Sequence, residues 1–394
     1  MILVGAIGGM LSLACYWIAN PSRSTLWSRI FYAILLMHIA ASFVYWQYSM
    51  AFAADSRMYY NQAPGIYVGE IRPGTSFVIA FVSYARSIFG GTYLDYFFLF
   101  QAFGVAGIAL CMRSAQEILQ DLNQNPDWKI FAVFFLPGLH FWTCAIGKDA
   151  PLFFAVALSV WAAIKIDRRY PAFALALAVM APVRPHIAAI ATIALLVTLL
   201  FDARIRLILK LPMLVTTIVA AVWVIASAQE SLRIAELNPD TIGDFIASKQ
   251  EYGMRSADGA ALTSLPLPLK ILSLLFRPLF FDAGGAFGLI VSFENLALLT
   301  IMTTIVIRWR DVAQLFKAVS YMRYCLIFST TLIILLSLVT YNVGLGLRQK
   351  YMAMPAILLM FITLLAYRRA RQEETMAMAA PLEVEPHRLA PPTR

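Results

Sequence analysis

Several cationic side chains stand at the ends of apolar segments, where they could bind an anion beside a membrane surface. They are Lys148, Arg184, Arg277, Arg348 and Lys350. Arginine binds phosphate through paired hydrogen bonds, and lysine binds it as a point charge. For Arg348 and Lys350 the alternative is that each long side chain only extends from a helix end to the membrane surface. Taken together, the cations predict a binding site for a phosphate-bearing ligand.

Carboxylates accompany these cations and could supply a general base. Asp55 follows an apolar run and precedes Tyr59 and Tyr60, so it could take a proton from a sugar hydroxyl while the tyrosine rings contact the sugar. Asp149 is a second candidate, with helix N-capping as its alternative role because Ala-Pro follows it. Glu294 interrupts an apolar run, where a carboxylate is functional or pairs with an arginine. Further candidate binding residues are Glu70, Arg72 and His186.

The overall composition excludes a soluble globular enzyme and a disordered protein. Of the 394 residues, 61% are hydrophobic and 13% are charged, whereas soluble domains carry about 25% charged residues. Long apolar runs therefore predict an all-α, polytopic membrane protein. The 4 cysteines and 4 histidines are scattered along the chain, so neither a disulfide framework nor a metal site built from these residues is predicted.

The apolar runs predict about eleven membrane-spanning helices. They lie near residues 3–19, 29–50, 93–112, 130–146, 151–164, 171–183, 187–201, 212–228, 285–307, 324–341 and 352–367. Alternate connections carry most of the 31 Lys and Arg residues, which puts those connections and the C-terminus in the cytoplasm and the N-terminus outside. This partition accounts for the net charge of +9, so no nucleic-acid partner is predicted. Residues 1–367 form the predicted membrane domain, and residues 368–394 a disordered cytosolic tail.

Three features of the outer side are predicted to shape a site. The first outer loop, residues 51–92, contains an apolar stretch over residues 75–89 that is too short to span and predicts a helix lying in the interface. The segment Pro182-Val-Arg-Pro-His186 interrupts an apolar run, and charge at that depth is tolerated only beside protein or a wet cavity. Residues 229–270 form a long polar loop suited to a lid or a binding loop.

Three motifs resemble those of the GT-C membrane glycosyltransferases. They are Ala54-Asp-Ser-Arg-Met-Tyr-Tyr60 in the first outer loop, Phe89-Gly-Gly-Thr-Tyr93 after the interfacial helix, and Arg348-Gln-Lys-Tyr-Met-Ala-Met-Pro355 near the last span. In addition, Gly147-Lys-Asp149 and Phe276-Arg-Pro278 are similar to elements of bacterial exopolysaccharide and O-antigen polymerases.

The resemblance implies a GT-C-like fold in the inner membrane of a bacterium. The implied reaction is an inverting transfer of sugar from polyprenyl phosphate or pyrophosphate to a glycan or lipid acceptor, with Asp55 as the base. For a polymerase, polysaccharide-export proteins are the implied partners. The chain departs from the family in having a helix over residues 3–19 ahead of the acidic loop, and no second aspartate adjoins Asp55. The second departure leaves the use of a divalent metal ion open, and no other cofactor is implied.

Two other classes of function are compatible with the sequence. A transporter or flippase of lipid-linked oligosaccharide would need a polar path through the membrane, whereas the predicted spans carry few ionisable groups on the cytosolic side apart from His38 and Glu294. A non-catalytic scaffold of a polysaccharide-export complex would not need arginines within the membrane. The sequence therefore favours a transferase or polymerase.

Overall fold

The apolar runs form long α-helices in the structure, a computed structural model that describes residues 3–63, 65–232, 238–255 and 262–379. Within these ranges the regular structure consists of α-helices and two short 3₁₀ helices, and no strand occurs. The all-α class predicted from the sequence is therefore confirmed.

Helices of the first half of the chain include the acidic outer loop and the break predicted near residue 184. They are α1 (Leu3–Ala14), α2 (Tyr16–Ala19), α3 (Thr25–Ala51), α4 (Asp55–Asn61), α5 (Thr75–Phe89), α6 (Tyr93–Asp121), α7 (Trp128–Ala132), α8 (Pro137–Thr143), α9 (Asp149–Ile164), α10 (Ile166–Val183) and α11 (Pro185–Leu200). A 3₁₀ helix, Val133–Phe135, joins α7 to α8.

Helices of the second half include the long polar insert and the C-terminal segment. They are α12 (Leu207–Leu232), α13 (Pro239–Gly253), α14 (Leu267–Phe276), α15 (Gly285–Ile307), α16 (Trp309–Ala318), α17 (Ser320–Val339), α18 (Val343–Gln349) and α19 (Met354–Ala379). The second 3₁₀ helix, Lys350–Met352, links α18 to α19.

Among the described residues, 5 helices are long and apolar enough to cross a membrane, namely α3, α6, α12, α15 and α17. The number rises to 6 if α18 and α19, which meet at a bend of 58°, form one broken span. These helices indicate a membrane-embedded protein. The larger number of about eleven spans is not confirmed. Helices α9 and α11, for example, have 16 residues each. Their length of about 24 Å is short of a hydrocarbon core of about 30 Å.

Two of the three local features predicted from the sequence are present in the structure, whereas the predicted polar loop over residues 229–270 contains helix α13. Helix α5 covers the segment predicted as an interfacial helix. Helix α10 ends at Val183 and α11 begins at Pro185, so the predicted break falls at Arg184. The segment 130–146 does not form the single helix expected there. It divides between α7, a 3₁₀ helix and α8, because Pro137 lacks an N–H group and favours the first turn of a new helix.

The C-terminal helix extends further than the sequence predicted. Helix α19 continues to Ala379, so residues 368–379 are helical where a disordered tail was expected. Residues 380–394 lie outside the described ranges. Arg368 and Arg371 approach the Asp311 carboxylate of α16 to 3.8 and 3.6 Å, so tertiary ion pairs support this extension.

Helix α6 occupies the centre of the bundle, where it packs against α1, α9 and α19. Near its C-terminal end the buried Glu117 carboxylate accepts hydrogen bonds of 2.9 and 2.8 Å from Arg169 of α10. Arg113 lies 2.7 Å from the same carboxylate, and the Arg169 guanidinium lies over the Trp161 ring. These contacts hold α6, α9 and α10 together at one end of the bundle, and the site described next lies at the other.

Candidate active site

Four charged residues from distant parts of the chain meet at the N-terminal ends of α4 and α9 and the C-terminal ends of α10 and α18. Arg348 Nη1 lies 2.6 Å from Asp55 Oδ2, and Arg348 Nε lies 2.7 Å from Asp149 Oδ2. Arg184 Nη2 donates a hydrogen bond of 3.3 Å to Asp149 Oδ1. We call Asp55, Asp149, Arg184 and Arg348 the ionic cluster. Its charges alternate, so Arg348 bridges the two carboxylates and Asp149 bridges the two guanidinium groups.

The ionic cluster is open to solvent at one end and buried at the other. The Asp55 side chain is 50% exposed, whereas those of Asp149 and Arg184 are 14% and 10% exposed. Asp149 was a candidate for the N-cap of α9, but it is the first residue of the helix. Lys148 occupies the N-cap position instead. The capping role considered for Asp149 is therefore replaced by its bridge between the arginines. At this end of α9 the helix dipole also favours its negative charge.

Lys148 adds a further cation at the buried end of the ionic cluster. Burial and the neighbouring Arg184 charge lower the pKa of Lys148 to about 8, because they outweigh the nearby Asp149 carboxylate. Gly74, with φ +98°, directly precedes α5. Its N–H donates a hydrogen bond of 2.8 Å to the carbonyl oxygen of Pro182. A Cβ at Gly74 would lie 3.6 Å from Lys148 Nζ. The start of α5 is thus held directly against the break and against Lys148.

Two buried polar atoms beside Lys148 are unsatisfied. Arg184 Nε and His186 Nδ1 are buried and have no hydrogen-bond partner in the part of the chain that the structure describes. Leaving a buried donor unpaired costs about 1–3 kcal/mol, and more where the group is charged. An anion between Arg184 and Lys148 would satisfy the guanidinium and offset the repulsion between these two cations. This end of the ionic cluster is therefore suited to a phosphate.

The two tyrosines of the acidic loop support the backbone around the site. Tyr59 is 2% exposed, and burial raises the pKa of its hydroxyl to about 12, with the Asp55 charge adding to the effect. The Tyr60 hydroxyl donates a hydrogen bond of 3.0 Å to the carbonyl oxygen of Gly91. The Arg86 guanidinium lies 4.1 Å from the centre of the Tyr60 ring. Because Tyr59 is buried and Tyr60 is covered on one face, the structure does not favour the sugar-stacking role expected for them.

The Gly-Gly-Thr motif after α5 turns the chain back into the bundle. Gly90 and Gly91 have φ of 65° and 103°, values that side chains with a Cβ rarely adopt. Thr92 then caps α6, accepting a hydrogen bond from Asp95 N while the Asp95 carboxylate accepts 2.7 Å from Thr92 N. The motif therefore positions α4, through Tyr60, relative to the first turn of α6.

Arg277, Glu70 and Arg72 do not join the ionic cluster by any contact among the described residues. Arg277 Nε lies 2.5 Å from Asp282 Oδ2, and the exposed Arg72 guanidinium lies 2.6 Å from Glu70. Of the five cations predicted from the sequence to form one anion site, Arg184 and Arg348 both contact Asp149. Arg277 pairs locally instead.

Glu294 and Lys350 belong to a separate buried network. The Glu294 carboxylate accepts a hydrogen bond of 2.6 Å from the N–H of Gly138 at the start of α8. Lys350 Nζ donates to Asn295 Oδ1 and, over 3.2 Å, to the carbonyl of Leu275. Lys350 is 1% exposed, so it is not available to a ligand. The network instead holds the 3₁₀ turn that follows Arg348.

An apolar cavity of about 190 Å³ lies beside the buried end of the ionic cluster. It lies between α5, α6, α9 and α10, and its lining includes Phe77, Phe81, Phe100, Phe103, Pro151 and Val183. Val183 precedes Arg184 directly, and Pro151 follows Asp149 by two residues. A ligand with an apolar chain in this cavity would therefore hold its head against the cations. The sequence reasoning missed these residues, although the i, i+4 spacing of Phe77 and Phe81 signals a shared helix face.

The donor set of the site suits an anion better than a divalent metal ion. Guanidinium groups occupy both carboxylates, and the described ranges contain no group of three or more His, Cys, Asp or Glu side chains placed to hold a metal ion. Comparison of the chain with protein-family models, curated proteins and solved structures gives no match.

Proposed function

We propose that the protein is a GT-C-like membrane glycosyltransferase or polysaccharide polymerase that takes its sugar from a polyprenyl phosphate or pyrophosphate. One observation carries the proposal. A cation-rich site with an unpaired buried guanidinium donor lies beside an apolar cavity, which Pro182 and Val183 line directly before Arg184 in the chain. A lipid-linked sugar phosphate presents the complementary pair of features, an anionic head joined to a long apolar chain.

In this proposal Arg184 and Lys148 hold the phosphate, and the polyprenyl chain begins in the apolar cavity. The acceptor is a glycan or lipid hydroxyl that approaches from the solvent side, where Asp55 is exposed. Its oxygen attacks the anomeric carbon, the bond from that carbon to the phosphate oxygen breaks, and the hydroxyl proton passes to Asp55. The phosphate leaves with the electrons of the broken bond, and the cations stabilise its charge. Arg348 holds Asp55 in position.

We further propose that the site faces the outside of a bacterial inner membrane. In this arrangement the chain crosses the membrane about eleven times, with its N-terminus outside and its C-terminus in the cytoplasm. Support comes from the distribution of basic residues, which follows the positive-inside rule. The short helices α9, α10 and α11 would each run from the cytoplasmic surface to a level below the outer surface, with the break at Arg184 lying within protein.

Topology reporters provide a direct check of this arrangement. Fusions at Asp167 and Asp311 are expected to report a cytoplasmic location, because basic residues surround both positions. A fusion at Asp244, within α13, is expected to report the opposite side. The measurement is the ratio of alkaline phosphatase to green fluorescent protein activity for each fusion. A cytoplasmic signal at Asp244 would place the polar insert in the cytoplasm and contradict the proposed orientation of the site.

Filling the apolar cavity is expected to weaken binding of long-chain donors selectively. Ala178 of α10 lines the cavity, so Ala178→Trp displaces part of a bound chain. Each buried methylene contributes about 0.8 kcal/mol, so losing two of them weakens binding about tenfold. The measurement is the affinity of the purified protein for undecaprenyl phosphate and for a water-soluble analogue with a chain of two isoprene units.

The matched control is Ala174→Trp, one helical turn earlier on an exposed position of α10 outside the cavity lining. It should leave both affinities unchanged, and Ala178→Trp should affect the long-chain ligand more than the short one. Equal affinities for the long-chain ligand in the two variants would show that the chain does not occupy this cavity. Failure of the wild-type protein to bind polyprenyl phosphate would reject the proposed donor class itself.

A further inference from the structure

A polar cleft of about 460 Å³ lies at the end of the bundle opposite the ionic cluster. It is formed where α9 meets α10, where α11 meets α12, and at the start of α17. Its polar lining consists of Asp167, Arg168, Asp202, Arg204, Arg206 and Ser320. Helix α9 separates the two sites, since it begins at Asp149 in the ionic cluster and ends at Ile164 in this cleft. We call this second site the arginine cleft.

The buried acid of the arginine cleft is already fully engaged. Asp202 is 3% exposed, and its carboxylate accepts hydrogen bonds from the backbone N–H of Arg204, at 2.9 Å, and from the Ser320 hydroxyl. Lys210 donates to the backbone carbonyls of Leu200 and Asp202 rather than to any carboxylate. Asp202 therefore shapes the turn between α11 and α12 and does not pair with a guanidinium group.

The guanidinium groups of the arginine cleft lack strong partners. Across the described ranges neither Arg204 nor Arg206 forms a side-chain hydrogen bond or ion pair. Arg168 lies 3.7 Å from Asp167, and its side chain is 83% exposed. Arg169 at the same end of the bundle, by contrast, forms an ion pair with Glu117. Arg204 and Arg206 are thus two cations without an ion-pair partner among the described residues, in a concave surface that also contains Asp167 and Asp202.

Exposed apolar side chains lie close in sequence to the arginines of the arginine cleft. Phe201, Leu207 and Ile208 are 70%, 68% and 79% exposed. They surround the turn that carries Arg204 and Arg206. Arginines beside lipid-facing apolar groups suit a phosphate ester at the membrane surface, because guanidinium binds phosphate through paired hydrogen bonds.

We propose that the arginine cleft binds a phosphate ester, carried either by an anionic phospholipid of the adjacent leaflet or by a soluble phosphate compound. The proposal is independent of the transferase function, since it uses different residues at the other end of the bundle. Arg204 and Arg206 provide the guanidinium contacts, and the cleft volume accommodates a glycerophosphate head group.

The test uses the full-length protein in detergent and the double variant Arg204→Gln/Arg206→Gln. Native mass spectrometry measures binding of phosphatidylglycerol and of zwitterionic phosphatidylcholine, and a thermal-shift series measures stabilisation by glycerol 3-phosphate and inorganic phosphate. The wild-type protein is expected to bind phosphatidylglycerol at least about tenfold more tightly than the double variant does, because charged hydrogen bonds are lost. The substituted side chains have no partners to lose, so both proteins should melt at the same temperature without ligand.

The matched control is Arg308→Gln/Arg310→Gln, which removes two arginines with the same spacing at the junction of α15 and α16. It should retain wild-type binding. Loss of phosphatidylglycerol only in the first variant supports a lipid source. Loss of stabilisation by glycerol 3-phosphate only in that variant, without lipid discrimination, supports a soluble source. Identical lipid binding and identical phosphate responses in both double variants would overturn the proposal.

Discussion

Asp55→Asn is expected to lower the rate of sugar transfer about 10²–10⁴-fold, the typical contribution of a positioned general base. Asparagine keeps the shape of the side chain and can still accept a hydrogen bond from Arg348, which lies 2.6 Å from the Asp55 carboxylate. An amide cannot take the proton of the acceptor hydroxyl, however, so the chemical step fails. The measurement is single-turnover transfer from a polyprenyl-linked donor by the protein in proteoliposomes.

Donor binding by Asp55→Asn should remain close to that of the wild-type protein, because Asp55 lies at the solvent-exposed end of the ionic cluster and the proposed phosphate contacts lie at the buried end. Glu251→Gln, an exposed carboxylate of α13, is the control for a general loss of negative charge and should transfer sugar normally. Near-normal transfer by Asp55→Asn would exclude this residue as the base. Movement of the donor across the bilayer with no sugar transfer in the wild-type protein would favour a flippase.

Much of the fold follows from the apolar runs and from proline positions. Helix α5 has the bounds expected for it, and the break at Arg184 falls where two prolines flank a charged residue. The lengths of the membrane spans are harder to predict. The apolar run over residues 130–146 suggests one helix, whereas in the structure a new helix begins at Pro137. The helical stretch of residues 368–379 depends on ion pairs with α16, which residue composition does not report.

The residue types of the site could be predicted, but their pairing could not. Asp149 and Arg348 lie far apart in the sequence, and only the packed helices bring them within 2.7 Å. Arg277 instead pairs with Asp282, which follows it by five residues, and has no contact with the ionic cluster among the described residues. Lys350 has the same side-chain chemistry as Lys148, yet one is sealed in a network with Asn295 and the other faces the ionic cluster. Burial, which sequence alone does not report, decides between these roles.

Arg348→Ala is expected to destabilise the protein by about 3–5 kcal/mol, the usual cost of removing one partner of a buried ion pair. Arg348 is 17% exposed and bridges Asp55 and Asp149. Its loss leaves the largely buried Asp149 carboxylate with Arg184 as its one remaining partner among the described residues. Transfer activity should fall as well, because Asp55 is no longer held. The measurements are unfolding in detergent by chemical denaturant and the rate of sugar transfer.

Arg348→Lys separates the electrostatic role of this residue from its geometric role. A single ammonium group cannot span both carboxylates as the guanidinium does, so lysine should restore part of the stability and little of the activity. The double variant Arg348→Ala/Asp149→Asn should be less unstable than the sum of the single effects predicts, because each single substitution already removes the same Arg348–Asp149 contact. Arg277→Ala, which breaks a more exposed pair with Asp282, should cost less than about 1 kcal/mol. Full activity in Arg348→Lys, or additive effects in the double variant, would mean that Arg348 supplies charge without bridging the two carboxylates.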